Sequence, residues 1–304
     1  MSKTLQDFWK LIKLSFNEFV DDNSLRLSAS LSYYTIFSMA PMLIIIISVA
    51  GIFFGVDAVE GKVYHQINGL VGSDAARQIQ LIIKNIKLSQ HSRGGVIIGS
   101  VILIIGASGV FTEIQDSINY LWCITAKPKQ NWVKLIVNWL LSFSLIATFG
   151  FLLFVSLLGN ALFDLLSDQL KLYFTDGIIY LFYFLNVVFM LLLTSFMFAF
   201  IYKILPDAII RWRDAFVGGL VTAILFTGGK LVISAYVGYS NIDVIYGTTA
   251  SIIIILLWVY YSSIILYFGA SFTKFYTIHH GGNVVPKNNA VFIERQEKNS
   301  SKML

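Results

Sequence analysis

Lys230 lies inside a long apolar stretch, DAFVGGLVTAILFTGGKLVISAYVGY from Asp214 to Tyr239. Burying a lysine in hydrocarbon costs roughly 3 kcal/mol or more, so such a residue usually has a partner or a task. Small residues recur along the stretch at Ala215, Gly219, Ala223 and Thr227. At about 100° per residue, Lys230 falls within about 20° of Gly219 and Ala223. Small-residue stripes are where membrane helices approach closely. Lys230 is therefore expected to point into the protein rather than at lipid. Three roles stay open for it: snorkelling outward, a structural pair with an acid or carbonyls, or binding an anionic group in a polar cavity. Gly228 and Gly229, just before it, could loosen the helix and expose carbonyls, as in the broken helices of transporters.

Other groups could share such a cavity. Tyr33, Tyr260 and Tyr261 lie deeper in their apolar runs than Tyr34, Tyr236 and Tyr246, which suit an interfacial belt. Glu113 and Asp116, spaced i, i+3 on one helix face with Asn119 a turn further on, are candidates for ion coupling. The plainer reading of that trio is a helix emerging into headgroups and meeting nearby Arg or Lys. Pro41 frees the carbonyl of Phe37 and is a hinge candidate, or a simple packing kink.

Other chemistry is excluded. The four histidines are His65, His91, His279 and His280, and no HxH, HExxH or DxD pattern occurs. Metal-dependent hydrolysis needs clustered carboxylates or histidines, so neither a catalytic metal nor an enzyme is expected. There is no GxxxxGK[ST] loop for nucleotide phosphates and no basic groove with interleaved aromatics for nucleic acid. The single cysteine, Cys123, carries no redox or zinc motif. No cofactor is implied.

The elements that position these residues follow from composition. The chain is 57% hydrophobic and 13% charged, against about 25% charged residues in soluble domains. Its apolar runs are long enough to cross a bilayer, and they lack the short alternating segments of a β-barrel. The fold class is all-α: a polytopic membrane protein with six transmembrane helices and flanking amphipathic helices. Residues 1–22 form an N-terminal amphipathic helix, with Leu5, Phe8, Trp9, Ile12, Phe16 and Phe19 on one face. It suits a membrane surface or the protein's own inner face equally. Residues 23–276 form the membrane domain, with spans at about 25–54, 95–112, 134–163, 178–205, 214–239 and 247–275 and an outer helical segment at 56–93. Residues 277–304 form a polar tail, expected to be disordered beyond about Pro286.

Of the 22 Lys and Arg, fifteen fall in the N-terminus, the 113–134 and 203–213 connections and the C-terminus. Six fall in the other connections, and Lys230 is the remaining one. The positive-inside rule then places both termini in the cytoplasm. Six spans also divide into two halves of three, the layout of an inverted-repeat transporter.

Three stretches carry a family resemblance. They are N-x-x-x-x-x-A-S-L-S-Y-Y-T-I-F-S-M-A-P from Asn23 to Pro41, GVFTEIQDSINYLW from Gly109 to Trp122, and a carboxy-terminal block. That block joins Leu205-Pro206, Lys230, Tyr236 and YGTTASIIIILLWVYYSSIILYFGA from Tyr246. In order and spacing these pieces resemble the YihY/BrkB family of bacterial inner-membrane proteins, over about residues 5–275. The resemblance implies a six-helix protein of the cytoplasmic membrane. The family once carried the label ribonuclease BN, now regarded as misassigned. It has been linked to virulence and serum resistance, and its members look like transporters, of envelope lipids or other anionic compounds. The expectation is a transporter or flippase-like protein for an anionic or amphiphilic solute, with Lys230 as the anion-binding group. Its partners would be membrane lipids and the solute, with homo-oligomers open. The alternative is a non-transporting scaffold or envelope assembly factor.

Overall fold

The computed structural model describes residues 3–54, 109–127, 176–239 and 250–293, with isolated positions at 61, 64, 77, 80 and 155. The outer segment at 56–93, the span at 134–163 and most of the span at 95–112 lie outside the described residues. So do the comparison of the two halves, Tyr246, His65 and His91.

Helix α1 (Lys3–Asp21) leads into α2 (Ser24–Phe54) through a tight turn at Asn23, whose φ is 52°. Asparagine tolerates the left-handed region, which lets one helix stop and the next start with only two residues between them. Helix α3 covers 109–121, followed by β1 (Ile124–Ala126). Helix α4 (Asp176–Ile204), strand β2 (Ala208–Ile209) and helix α5 (Trp212–Tyr239) form a helical hairpin. Helix α6 (Ala250–His279) then leads to β3 (Val285–Pro286) and β4 (Ala290–Phe292). Among the described residues three stretches are long and apolar enough to cross a membrane: Phe184–Ile204, Trp212–Ile233 and Ile252–His279.

Glycines and hydroxyls hold the helices together, as expected where solvent exclusion cannot drive association. At Gly219 the backbone of α5 approaches Ser195 and Ala199 of α4 so closely that any Cβ would strike main-chain atoms. Gly218 meets Thr273 of α6, and Gly269 of α6 meets Thr222 of α5 and Tyr202 of α4. The Tyr202 hydroxyl donates to the Leu266 carbonyl at 2.9 Å and lies 2.9 Å from Thr222 Oγ1, which joins three helices at one buried point. Trp122, at the end of α3, donates its indole N–H to the Ala270 carbonyl at 3.0 Å. Ser28, Ser32, Thr222, Ser263 and Thr273 satisfy their hydroxyls on the carbonyl four residues back. These five hydroxyls thus sit in an apolar bundle with their donors satisfied.

The carboxy-terminal segment departs from expectation. Helix α6 runs to His279, and residues beyond Pro286 are ordered through Ile293 rather than disordered. Strand β4 pairs antiparallel with β1 in the register Ile124↔Phe292, Thr125↔Val291 and Ala126↔Ala290. Strand β3 pairs with β2 through Ala208↔Pro286 and Ile209↔Val285. The Ile293 N–H donates to the Cys123 carbonyl at 2.8 Å, and the Lys127 N–H to the Asn289 carbonyl at 2.8 Å. A polar composition predicts disorder only when the backbone lacks partners, and here two connections supply them. Residues 294–304 lie outside the described residues.

Candidate functional site

Lys230 is where the structure corrects the sequence most. Its side chain is exposed, not buried, and among the described residues it makes no ion pair or hydrogen bond. The small-residue stripe does pack, with Ala215 and Ala223 fully buried. Beyond Ala223, among the described side chains of α5, only Gly229 and Ile233 are buried, while Ile224, Leu231, Val232 and Tyr236 are open. The outer half of α5 therefore keeps one narrow contact line along Gly229 and Ile233. Lys230, one residue or about 100° away from Gly229, falls off that line.

Gly228 and Gly229 do not break the helix. Helix α5 is continuous from Trp212 to Tyr239, and Gly228 has open space around its Cα. Gly229 serves a close approach: a Cβ there would fall on the Tyr261 hydroxyl. That hydroxyl reaches past it to the Leu225 carbonyl at 3.3 Å. Of the three tyrosines, Tyr261 thus sits one residue from Lys230 along α5. Tyr260 is half-buried on α6. Tyr33 is exposed on α2, its ring 4.8 Å from Phe37 and 5.9 Å from Tyr34. Helix α2 runs as one helix through Pro41.

The Glu113, Asp116 and Asn119 trio is split by the fold. Glu113 is half-buried, Asp116 exposed and Asn119 buried. Asn119 belongs to a polar junction at the strand-bearing end, built around the buried Asp207. The Asn119 Nδ2 donates to Asp207 Oδ2 at 3.1 Å, and the Asp207 N–H donates back to Asn119 Oδ1 at 2.8 Å. Asn289 Nδ2 donates to Asp207 Oδ1 at 3.3 Å, and the Lys287 N–H donates to the Asp207 carbonyl at 2.9 Å. One carboxylate thus joins α3, the α4–α5 connection and the carboxy-terminal ribbon. Two lysines surround it. Lys287 Nζ donates to the Ile204 carbonyl at 3.2 Å. Lys203 Nζ donates to the Ile210 carbonyl and lies 5.9 Å above the Trp212 ring. Burial pulls the Lys287 pKa below the usual lysine value; Asp207 opposes that shift and Lys203 adds to it. Asn119 therefore reads as a structural tie, not as part of an ion path with Glu113.

A second polar contact was not anticipated. Lys274 Nζ, near the end of α6, lies 2.6 Å from Glu18 Oε1 of α1 and donates to the Leu121 carbonyl at 2.8 Å. It pins α1 and the end of α3 to α6. The sequence signals were faint: an acid right after Leu205-Pro206 for the first junction, and one lysine in the last apolar turns of α6 for the second. Among the described residues no group of three or more His, Cys, Asp or Glu could hold a metal ion.

The helices, their glycine contacts and their apolar lengths define a helical membrane protein. The chain matches the family described as Virulence factor BrkB over residues 15–292 and belongs to that family. A UPF0761 membrane protein of Saccharophagus degradans is 25% identical over 259 residues, covering 85% of this chain and 58% of the relative. One from Legionella pneumophila is 25% identical over 280 residues, covering 89% and 63%. One from Psychromonas ingrahamii is 26% identical over 258 residues, covering 83% and 82%. The chain spans about 60% of the length of the first two. No solved structure matches it.

Proposed function

We propose that the chain is a transporter or flippase-like protein of the bacterial cytoplasmic membrane, moving an anionic or amphiphilic solute. In this reading it has six spans, both termini are cytoplasmic, and it has no enzymatic activity. The observation that carries the reading is the exposed ammonium of Lys230 in a membrane-length apolar helix. Lys230 stands 18 residues from Trp212 and nine from Tyr239, about 27 Å and about 13 Å along the helix. The apolar stretch ends at Ile233, three residues or about 4.5 Å beyond Lys230, so its stem carries the charge to the outer interface. An exposed charge at that outer edge is placed to meet a polar cavity or an anionic group beside it. The phosphate of an amphiphile would supply the second. Driving force would come from an ion gradient or a partner; Glu113 and Asp116 remain its candidate carriers, without Asn119.

The test uses proteoliposomes with a fluorescent anionic phospholipid and a small fluorescent anion. Lys230→Ala and Lys230→Gln should each lower movement of one probe about tenfold or more, the order of one lost charge contact, while Lys230→Arg retains most of it. Full movement in both neutral variants sinks the anion-site reading. A scaffold role draws on the apolar side chains exposed on the ribbon, Val291, Phe292 and Ile293. It predicts that polar replacements there abolish cellular function while Lys230 variants keep it.

A further inference from the structure

Helix α1 has three faces. Leu11, Ser15, Phe19 and Asp22 are buried along one line of it. Phe8 meets Phe272 of α6 at 5.8 Å between ring centroids, and Phe19 meets Phe268 at 6.2 Å. About 120° round the wheel, Trp9, Phe16 and Val20 point away from the protein, with Trp9 65% and Phe16 57% exposed. Lys13 and then Lys10 follow on the next face, both exposed. The acids Asp7 and Asp21 lie further round, on the side away from the apolar flank. Glu18 is held by Lys274.

The contacts also show how α1 crosses α6. Phe8 and Glu18, ten residues or about 15 Å apart on α1, reach Phe272 and Lys274, only two residues apart on α6, so α1 crosses α6 steeply rather than running along it. The apolar stretch Ile252–His279 is 28 residues. That is about 42 Å against about 30 Å of hydrocarbon, so its final turns reach the headgroups. Phe272 and Lys274 lie on those turns, and Phe268 one turn below them. A helix crossing steeply there runs along the membrane plane, with an apolar flank roughly perpendicular to the face it packs on the bundle.

We propose that α1 binds the anionic membrane surface. Trp9, Phe16 and Val20 enter the acyl boundary, and Lys13 stands at the level of lipid phosphates. The opposite edge is stapled to α6 by Glu18 and Lys274. The helix is thus an interfacial float that fixes the depth of the α6 end. The position of the lysine supports this occupant: it borders the apolar flank, while the acids lie away from it. Interfacial helices with this layout gain from both apolar burial and attraction to anionic headgroups. The proposal does not depend on transport.

The test places single spin labels in the full chain in a Cys123→Ser background, reconstituted in nanodiscs containing phosphatidylglycerol. Trp9→Cys and Phe16→Cys report on the flank, and Asn17→Cys on the polar face. All three positions are exposed, so the fold should tolerate them. Collision with dissolved oxygen should exceed collision with a water-soluble nickel chelate several-fold at positions 9 and 16, with the reverse at 17. Water-like behaviour at 9 and 16 overturns the proposal. So does shielding from both reagents, which would mean that protein covers the flank. Lys13→Glu should make positions 9 and 16 shallower in phosphatidylglycerol but not in phosphatidylcholine; equal depth in both lipids overturns the phosphate contact.

Discussion

Replacing Asp207 by alanine should loosen the whole strand-bearing end. Its carboxylate accepts from Asn119 Nδ2 at 3.1 Å and Asn289 Nδ2 at 3.3 Å, and both Asp207 and Asn119 are about 95% buried. Hydrogen bonds to a charged group contribute about 1.5–3 kcal/mol each, and the longer one belongs at the low end. Losing both, with two amides left without an acceptor, should cost about 3–4 kcal/mol. Asp207→Asn keeps one oxygen and should cost about half as much. Because β3 and β4 hang on this junction, the loss should appear as local opening before global unfolding. The assay is hydrogen exchange of residues 284–293 in detergent-solubilised protein, paired with unfolding in rising dodecyl sulfate. Asn119→Ala and the double variant complete a cycle, with an expected coupling of about 1.5–3 kcal/mol between the two residues. Unchanged exchange in the ribbon, or a coupling under about 0.5 kcal/mol, would refute the argument that Asp207 ties three segments together.

Gly229→Ala should cost about 1–3 kcal/mol by driving Tyr261 off the Leu225 carbonyl; adding Tyr261→Ala should recover much of that in the same unfolding assay. Lys274→Met leaves Glu18 without its ammonium in a mostly buried pair, and should cost about 2–4 kcal/mol after discounting for partial exposure. Pairing it with Glu18→Gln should be milder than Lys274→Met alone. Lys287 has a lowered pKa in the folded state, so between that value and the ordinary lysine range the unfolded ribbon binds more protons. Protection of residues 284–293 against proteolysis should therefore rise with pH across that window, and Lys287→Met should flatten the rise.

What the sequence determined by itself was the local part. Apolar runs of bilayer length mark α4, α5 and α6 to within a few residues at the ends. The spacing of Ala215, Gly219 and Ala223 marked a buried stripe, because helical periodicity is a one-dimensional property. The motif stretches were enough to suggest the family, since they depend only on order and spacing. Tertiary structure decided everything that required knowing which neighbour stands where. Periodicity aimed Lys230 inward, but the stripe extrapolates only while a neighbouring helix follows it. Past Ala223 the contact line shifts to Gly229 and Ile233, and the lysine is left exposed. Glycine marked a helix break or a close approach with equal force, and only the position of Tyr261 chose between them. The Asp207–Asn119 and Asp207–Asn289 pairs are separated by 88 and 82 residues, and Lys274–Glu18 by 256. No periodicity connects residues that far apart. They meet because the helices pack, and the polar tail becomes a ribbon because the two connections it reaches have open backbone groups to pair with it.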